Sequence, residues 1–99
     1  MLFEWDEAKR LANLEEHGVD FRDAALIFEN ATLEAVDTRN DYGETRVRAL
    51  GHIDGNFFLV VYTWRQSGAE RGRDDIRRII SAWKVGEDGQ KRYRAILGG

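Results

Sequence analysis

Residues 46–65 read RVRALGHI-DG-NFFLVVYTWR, and this stretch decides the fold. Arg46 to Ile53 alternates polar and apolar side chains, the period of a half-exposed strand. Asp54-Gly55 is a preferred pair for a two-residue type I′ hairpin turn, in which both positions need φ > 0. Phe57 to Trp64 is almost wholly apolar, as in a central strand. A two-residue turn pairs Ile53 with Asn56, which sets Arg48 opposite Val61 and Arg46 opposite Thr63. Side chains alternate across a strand, so Val47, Ala49, Gly51 and Ile53 share a face with Phe58, Val60 and Tyr62. The opposite face carries Arg46, Arg48, His52, Thr63 and Arg65. One face is apolar enough to receive helices, and the other offers three arginines around an open surface.

On the N-terminal side of this hairpin the period is helical. Asp6 is a good N-cap and Glu7 suits the helix dipole. Ala8, Leu11, Ala12 and Leu14 recur at helical spacing, and His17-Gly18 ends the run. Asp20 caps a second, short amphipathic helix carrying Phe21, Ala24, Ala25, Leu26 and Phe28, to about Asn30. Leu33 to Asp37 reads as a short edge strand, and Thr38 to Gly43 is turn-rich. Downstream of the hairpin, Gln66 to Asp75 reads as a polar, mobile loop. Ile76 to Val85 is a further strand, Gly86 to Gly89 breaks the pattern, and Gln90 to Leu97 is a candidate short C-terminal helix. The expected fold is α+β: one domain over residues 1–99, with two N-terminal helices packed on a three- to four-stranded antiparallel sheet.

Three Trp, three Tyr and five Phe in 99 residues mark an ordered globular chain. With no cysteine there is no disulfide, thiolate nucleophile or thiolate metal ligand. No apolar run reaches the ~18 residues of a membrane span, and the N-terminus lacks a secretory signal pattern, so a cytoplasmic location is expected. The net charge of −3 hides an asymmetry. Residues 1–44 carry four Lys and Arg against twelve Asp and Glu, a net −8; residues 45–99 carry eleven against six, a net +5. A basic half is the footprint of a polyanion site. The two histidines are scattered and the carboxylates lack ligand spacing, so no metal site or other cofactor is expected.

The chain resembles the BrnT toxin family. The resemblance begins at Phe3-Glu4-Trp5-Asp6-Glu7-Ala8-Lys9 and passes through Asn13, His17-Gly18-Val19 and Phe21. It resumes at Tyr42-Gly43-Glu44, Arg46 and Leu50-Gly51. It continues through Val60-Val61-Tyr62-Thr63 with Arg65, and ends at Arg78-Ile79-Ile80-Ser81-Ala82 and Lys84. It implies a RelE-like fold, ribonuclease activity that inhibits translation, and a ribbon-helix-helix, BrnA-like antitoxin. Such antitoxins bind DNA as dimers, so a complex of two toxins and two antitoxins is implied, reaching promoter DNA only through the antitoxin. The family usually has Arg after the Ile-Ser-Ala segment, where this chain has Trp83, and the loop holding Arg71 and Arg73 is longer than usual.

A metal-independent ribonuclease must take a proton from the 2′-hydroxyl, stabilise the crowded phosphate, and return a proton to the leaving oxygen. Arginine suits the second task, because its planar fork holds two phosphate oxygens and stays charged. Arg65, Arg78 and Lys84 are the catalytic candidates, with Ser81 as a hydrogen-bonding partner of the phosphate or of an arginine. Arg46, Arg48, Lys9 and Trp83 are candidate RNA-binding residues, Trp83 by stacking. Strict alternation puts Arg78 and Lys84 on one strand face and Arg77, Ser81 and Trp83 on the other; the family resemblance favours the first set. No general base is evident. His52 lies beside the hairpin turn, His17 reads as a helix-closing residue bonded to the last carbonyls, and Trp64 reads as core. The alternative function is a catalytically weak module that binds the antitoxin and takes part in autorepression.

Overall fold

A computed structural model describes residues 2–38, 41, 43–66 and 76–98. The element order is β1 (Leu2–Trp5), α1 (Glu7–His17), α2 (Phe21–Ala24) running into a 3-10 turn (Ala25–Glu29), β2 (Leu33–Val36), β3 (Val47–Ile53), β4 (Asn56–Arg65), β5 (Ile76–Lys84) and α3 (Glu87–Leu97). The five strands form one sheet in the order β1-β5-β4-β3-β2. The loop expected at 66–75, with Arg71 and Arg73, and Tyr42 of the family resemblance lie outside the described residues, Gln66 apart. Among the described residues no helix is long and apolar enough to cross a membrane.

The hairpin has the expected register, from Ile53 opposite Asn56 to Arg48 opposite Val61. Asp54 and Gly55 take φ of 49° and 79°, the left-handed pair of a type I′ turn. Two expectations need correction. The sheet has five strands and is mixed, because Leu2–Trp5, to which the sequence reading assigns no element, forms an edge strand parallel to β5. Phe3 and Trp5 pack against the core while Leu2 and Glu4 point to the other face, a period-two pattern hidden by its length of four residues. The second correction is in β5. Val61 opposes Ser81 and Tyr62 opposes Ile79, so Ile80 is the extra residue of a β-bulge. A bulge reverses the alternation; Arg78, Ser81 and Trp83 therefore share one face, and Arg77, Ile79, Ala82 and Lys84 the other.

Phe21, Ala24, Ile27 and Phe28 pack on Ala49, Phe58, Val60, Tyr62, Ile79 and Ala82. Gly51 permits this closeness, because a Cβ there would sit 3.0 Å from both Ile27 and Thr32. On the opposite face α3 covers one end of the sheet. Tyr93 packs with Leu50 and Phe57, and its hydroxyl donates to the Ala31 carbonyl at 2.6 Å.

Helix α1 does not bury its apolar stripe. Leu11 and Leu14 are 52% and 41% exposed, and the buried residue is Asn13. Its Nδ2 donates to the carbonyls of Val19 (2.9 Å) and Ala82 (2.8 Å), and its Oδ1 accepts from the Ala82 amide (3.1 Å). One side chain thus pairs both backbone groups of β5 at a point past the last β1 partner, Ile79. Buried backbone groups left unpaired cost about 1–3 kcal/mol each. Asn13→Ala should therefore lower stability by about 2–4 kcal/mol, or ~10 °C or more in Tm, whereas Leu11→Ala should stay within about 0.5 kcal/mol. Thermal melts of the two variants check this, and equal melting temperatures would contradict it.

Asp20 caps α2 by accepting from the Arg22 amide and pairs with Arg10 and Arg22, each at 2.8 Å. The Arg22 side-chain hydrogen bond, the Arg22 amide and the charges of Arg22 and Arg10 outweigh burial and hold its carboxyl at about 2, against about 3.9 in an unfolded chain. A depressed carboxyl stabilises above its unfolded value, and the effect fades as pH falls through the folded one. Asp20→Asn keeps a cap but loses the ion pairs, so it should be about 1–2 kcal/mol less stable than the wild type near pH 7. Denaturant titrations should show that gap closing as the pH is lowered from about 4 to about 2.

Candidate functional site

The half of the sheet face opposite α2 that α3 leaves uncovered carries the arginines, with α1 along the β5 edge. The register stacks its side chains in rows about 4.8 Å apart from strand to strand. One row runs Thr63, Arg78, Glu4, and continuing the β3–β4 register one step brings Arg46 opposite Thr63. The next row is Ala35, Arg48, Val61, Ser81. The third, Leu33, Leu50, Leu59, Trp83, runs toward α3.

Glu4 organises the first row. Its Oε2 accepts a short hydrogen bond from Arg78 Nη1 and lies 3.8 Å from Arg65 Nε. Two guanidinium groups from adjacent strands thus converge on one carboxylate, and both remain partly solvent-exposed. Guanidinium groups already oriented around one anion can bind another. Arg46 pairs with Glu44 at 3.3 Å, and Arg48 lines a groove with Leu50, Leu59, Arg92 and Ile96.

Arg65, Arg78 and Ser81, expected to act together, lie on this one face. Lys84 does not join them. The bulge turns it to the helix side, into a cavity lined by Asp20, Asp23 and Asp54, where carboxylates oppose a bound phosphate. Arg77 is also on the helix side; its guanidinium carbon lies 4.3 Å from the ring centre of Phe28, 4.4 Å from Trp64 and 5.2 Å from Tyr62. Trp64 accordingly packs on Tyr62 and Arg77, although 37% exposed. Burial first, then the hydrogen bond to Glu34, pushes the Tyr62 hydroxyl up to about 12, which removes it from acid–base work near neutrality. His52 is held among Phe57 and Tyr93 at the hairpin end.

Lys9 and Ser81 line a common cavity of about 240 Å³ between α1 and β5, together with His17. Trp83 lines an adjoining cavity with Glu16, His17 and Lys84. Among the described residues no group of three or more His, Asp or Glu gathers as a metal site. The sequence reading missed Glu4 because its position beside Arg78 depends on the β1–β5 pairing. The signal available was its place in the family resemblance, within Phe3-Glu4-Trp5.

Comparison with known proteins bears on the family and the fold. A family model described as the ribonuclease toxin BrnT of type II toxin–antitoxin systems matches residues 5–88. No curated protein sequence matches the chain. Among solved structures, the 1.1 Å crystal structure of the Brucella abortus ribonuclease toxin BrnT is similar, with a TM-score of 0.59 and 23% identity over 88% of this chain and 100% of that one. At that identity the likeness speaks to the fold; the match over residues 5–88 speaks to the family. The chain belongs to the BrnT family of ribonuclease toxins of type II toxin–antitoxin systems.

Proposed function

We propose that this toxin cleaves RNA without a metal ion on the open face of its sheet and thereby inhibits translation in the cytoplasm. The observation that carries the reading is the convergence of Arg65 and Arg78 on Glu4, one row from Ser81. In the free protein Glu4 holds the two guanidinium groups in place. An RNA phosphodiester takes over that role, with Arg78 and Arg65 matching the charge that builds on phosphorus and Ser81 donating to a phosphate oxygen. Arg46 and Arg48 hold the neighbouring backbone, Lys9 adds a cation from α1, and Trp83 stacks on an unpaired base. Lys84 faces the acidic helix side, apart from Arg65 and Arg78, and also borders the cavity of His17 and Trp83.

Type II membership implies an antitoxin. We assign it to the ribbon-helix-helix, BrnA-like class, in a complex of two toxins and two antitoxins that covers the basic face and reaches promoter DNA through the antitoxin. Trp83, where the family usually has Arg, favours a second reading, a catalytically weak module that binds the antitoxin and takes part in autorepression. Inducible expression with and without the antitoxin separates them. Growth arrest with RNA decay, relieved by the antitoxin, supports the toxin; tight antitoxin binding with no arrest supports the module.

Arg78→Ala should lower RNA cleavage about 10²–10³-fold, as removal of one preorganised donor commonly does. Its ion pair is partly exposed, so the stability cost should be no more than about 1 kcal/mol. Arg78→Lys should restore part of the rate, because an ammonium cannot make the two-pronged contact. Arg22→Ala, on the helix side, should leave cleavage unchanged. Cleavage assays in excess chelator, beside thermal melts, check all three variants. Equal activity in the Arg78 and Arg22 alanine variants would overturn the site.

A further inference from the structure

We propose that His17 is the general base of this ribonuclease, working in the cleft between α1 and β5; the inference rests on the reading that the open face cleaves RNA. The expected helix-closing role of His17 is filled otherwise, since the Gly18 amide donates to the Leu14 carbonyl at 2.9 Å. The imidazole makes no hydrogen bond to a described residue. Among the described residues the charged groups that share its two cavities are Glu16, 4.0 Å from the ring nitrogen, Lys9 and Lys84, and the side chain is 43% exposed.

The ring is placed nonetheless. It lies 6.0 Å from the Trp83 ring, tilted 46°. It lines the cavity of about 240 Å³ that contains Lys9 and Ser81 and the adjoining one of about 540 Å³ that contains Trp83. Asn13, one turn earlier, ties α1 to the Ala82 backbone, which fixes the helix face carrying His17 against β5. His52, the other histidine, is packed among aromatic rings on β3, two strands away from β5. His17 is thus the imidazole beside Ser81, which shares its strand face with Arg78. Imidazole is the side chain best suited to take and return a proton near neutral pH.

In the step assigned to it, an unprotonated ring nitrogen of His17 takes the proton of the RNA 2′-hydroxyl. The 2′ oxygen bonds to phosphorus, and the bond from phosphorus to the 5′ oxygen breaks. That oxygen takes a proton from water, and the imidazolium returns its proton to the hydroxide left behind. The products are a 2′,3′-cyclic phosphate and a 5′-hydroxyl. Lys9 balances the incoming phosphate charge at the same cleft.

The test uses the purified full chain, an RNA oligonucleotide for cleavage, and its 2′-deoxy counterpart for binding. His17→Gln should lower the single-turnover rate about 10²–10⁴-fold, the usual scale of acid–base catalysis. Affinity for the 2′-deoxy oligonucleotide and the melting temperature should stay close to wild type. The acid limb of the wild-type pH–rate profile should disappear, and added imidazole should restore part of the rate to His17→Ala. His52→Gln should cleave as the wild type does. Cleavage in His17→Gln within about threefold of an active wild type, against the loss expected of a base, overturns this proposal alone. A failure of imidazole rescue, with the fold intact, also counts against it. A wild-type chain that leaves RNA intact overturns the ribonuclease reading as well.

Discussion

The carboxamide of Asn13 holds the molecule together at its least regular point. Strand β1 ends opposite Ile79, leaving the outer edge of β5 with backbone groups that need partners. Asn13 supplies both a donor and an acceptor to Ala82, and a second donor to Val19 at the entry to α2. One side chain therefore completes the sheet edge, anchors α1 and sets the turn into α2. The sides of α1 carrying Leu11 and Leu14 stay in solvent, because attachment is made by hydrogen bonds and not by the leucines.

The bulge at Ile80 is the second constraint, and it assigns the chemistry. It divides the cations of β5 between two environments. Arg78 goes to the open face with Ser81 and Trp83, while Arg77 and Lys84 go to the helix side. There Arg77 stacks on three aromatic rings and Lys84 shares the lining of a cavity with Asp20, Asp23 and Asp54. The acidic N-terminal half and basic C-terminal half of the sequence become, in part, two sides of the sheet. Around Arg65 and Arg78 the carboxylate that intervenes is Glu4, and it orients the two cations toward one point.

Local signals in the sequence were enough for the hairpin, its register and the caps of α1 and α2. Asp54-Gly55 and the alternation from Val47 to Ile53 depend on neighbours within a few residues. What escaped depends on distant pairing. The parallel β1–β5 contact joins residues more than seventy positions apart, and the four-residue strand is too short to show a period. A bulge leaves no mark in a run such as Ile79-Ile80-Ser81, where each residue suits a strand on either face. Periodicity located α1 from Glu7 to His17 but could not show how it is attached, because apolar spacing does not reveal that a buried asparagine holds the helix while its leucines stay exposed. The same distance effect hid Glu4 and separated Lys84 from Arg78.

The central claim is that RNA lies along the open face and the α1–β5 cleft. Heteronuclear NMR of the labelled protein, titrated with a non-cleavable 2′-deoxy oligonucleotide, tests it most directly. The account predicts shift changes at Arg65, Arg78, Ser81, Trp83, Lys9 and His17, with Asp23, Leu26 and Asn56 of the helix-side cavity undisturbed. Changes centred on that helix-side cavity, with Arg78 and Ser81 unmoved, would contradict it.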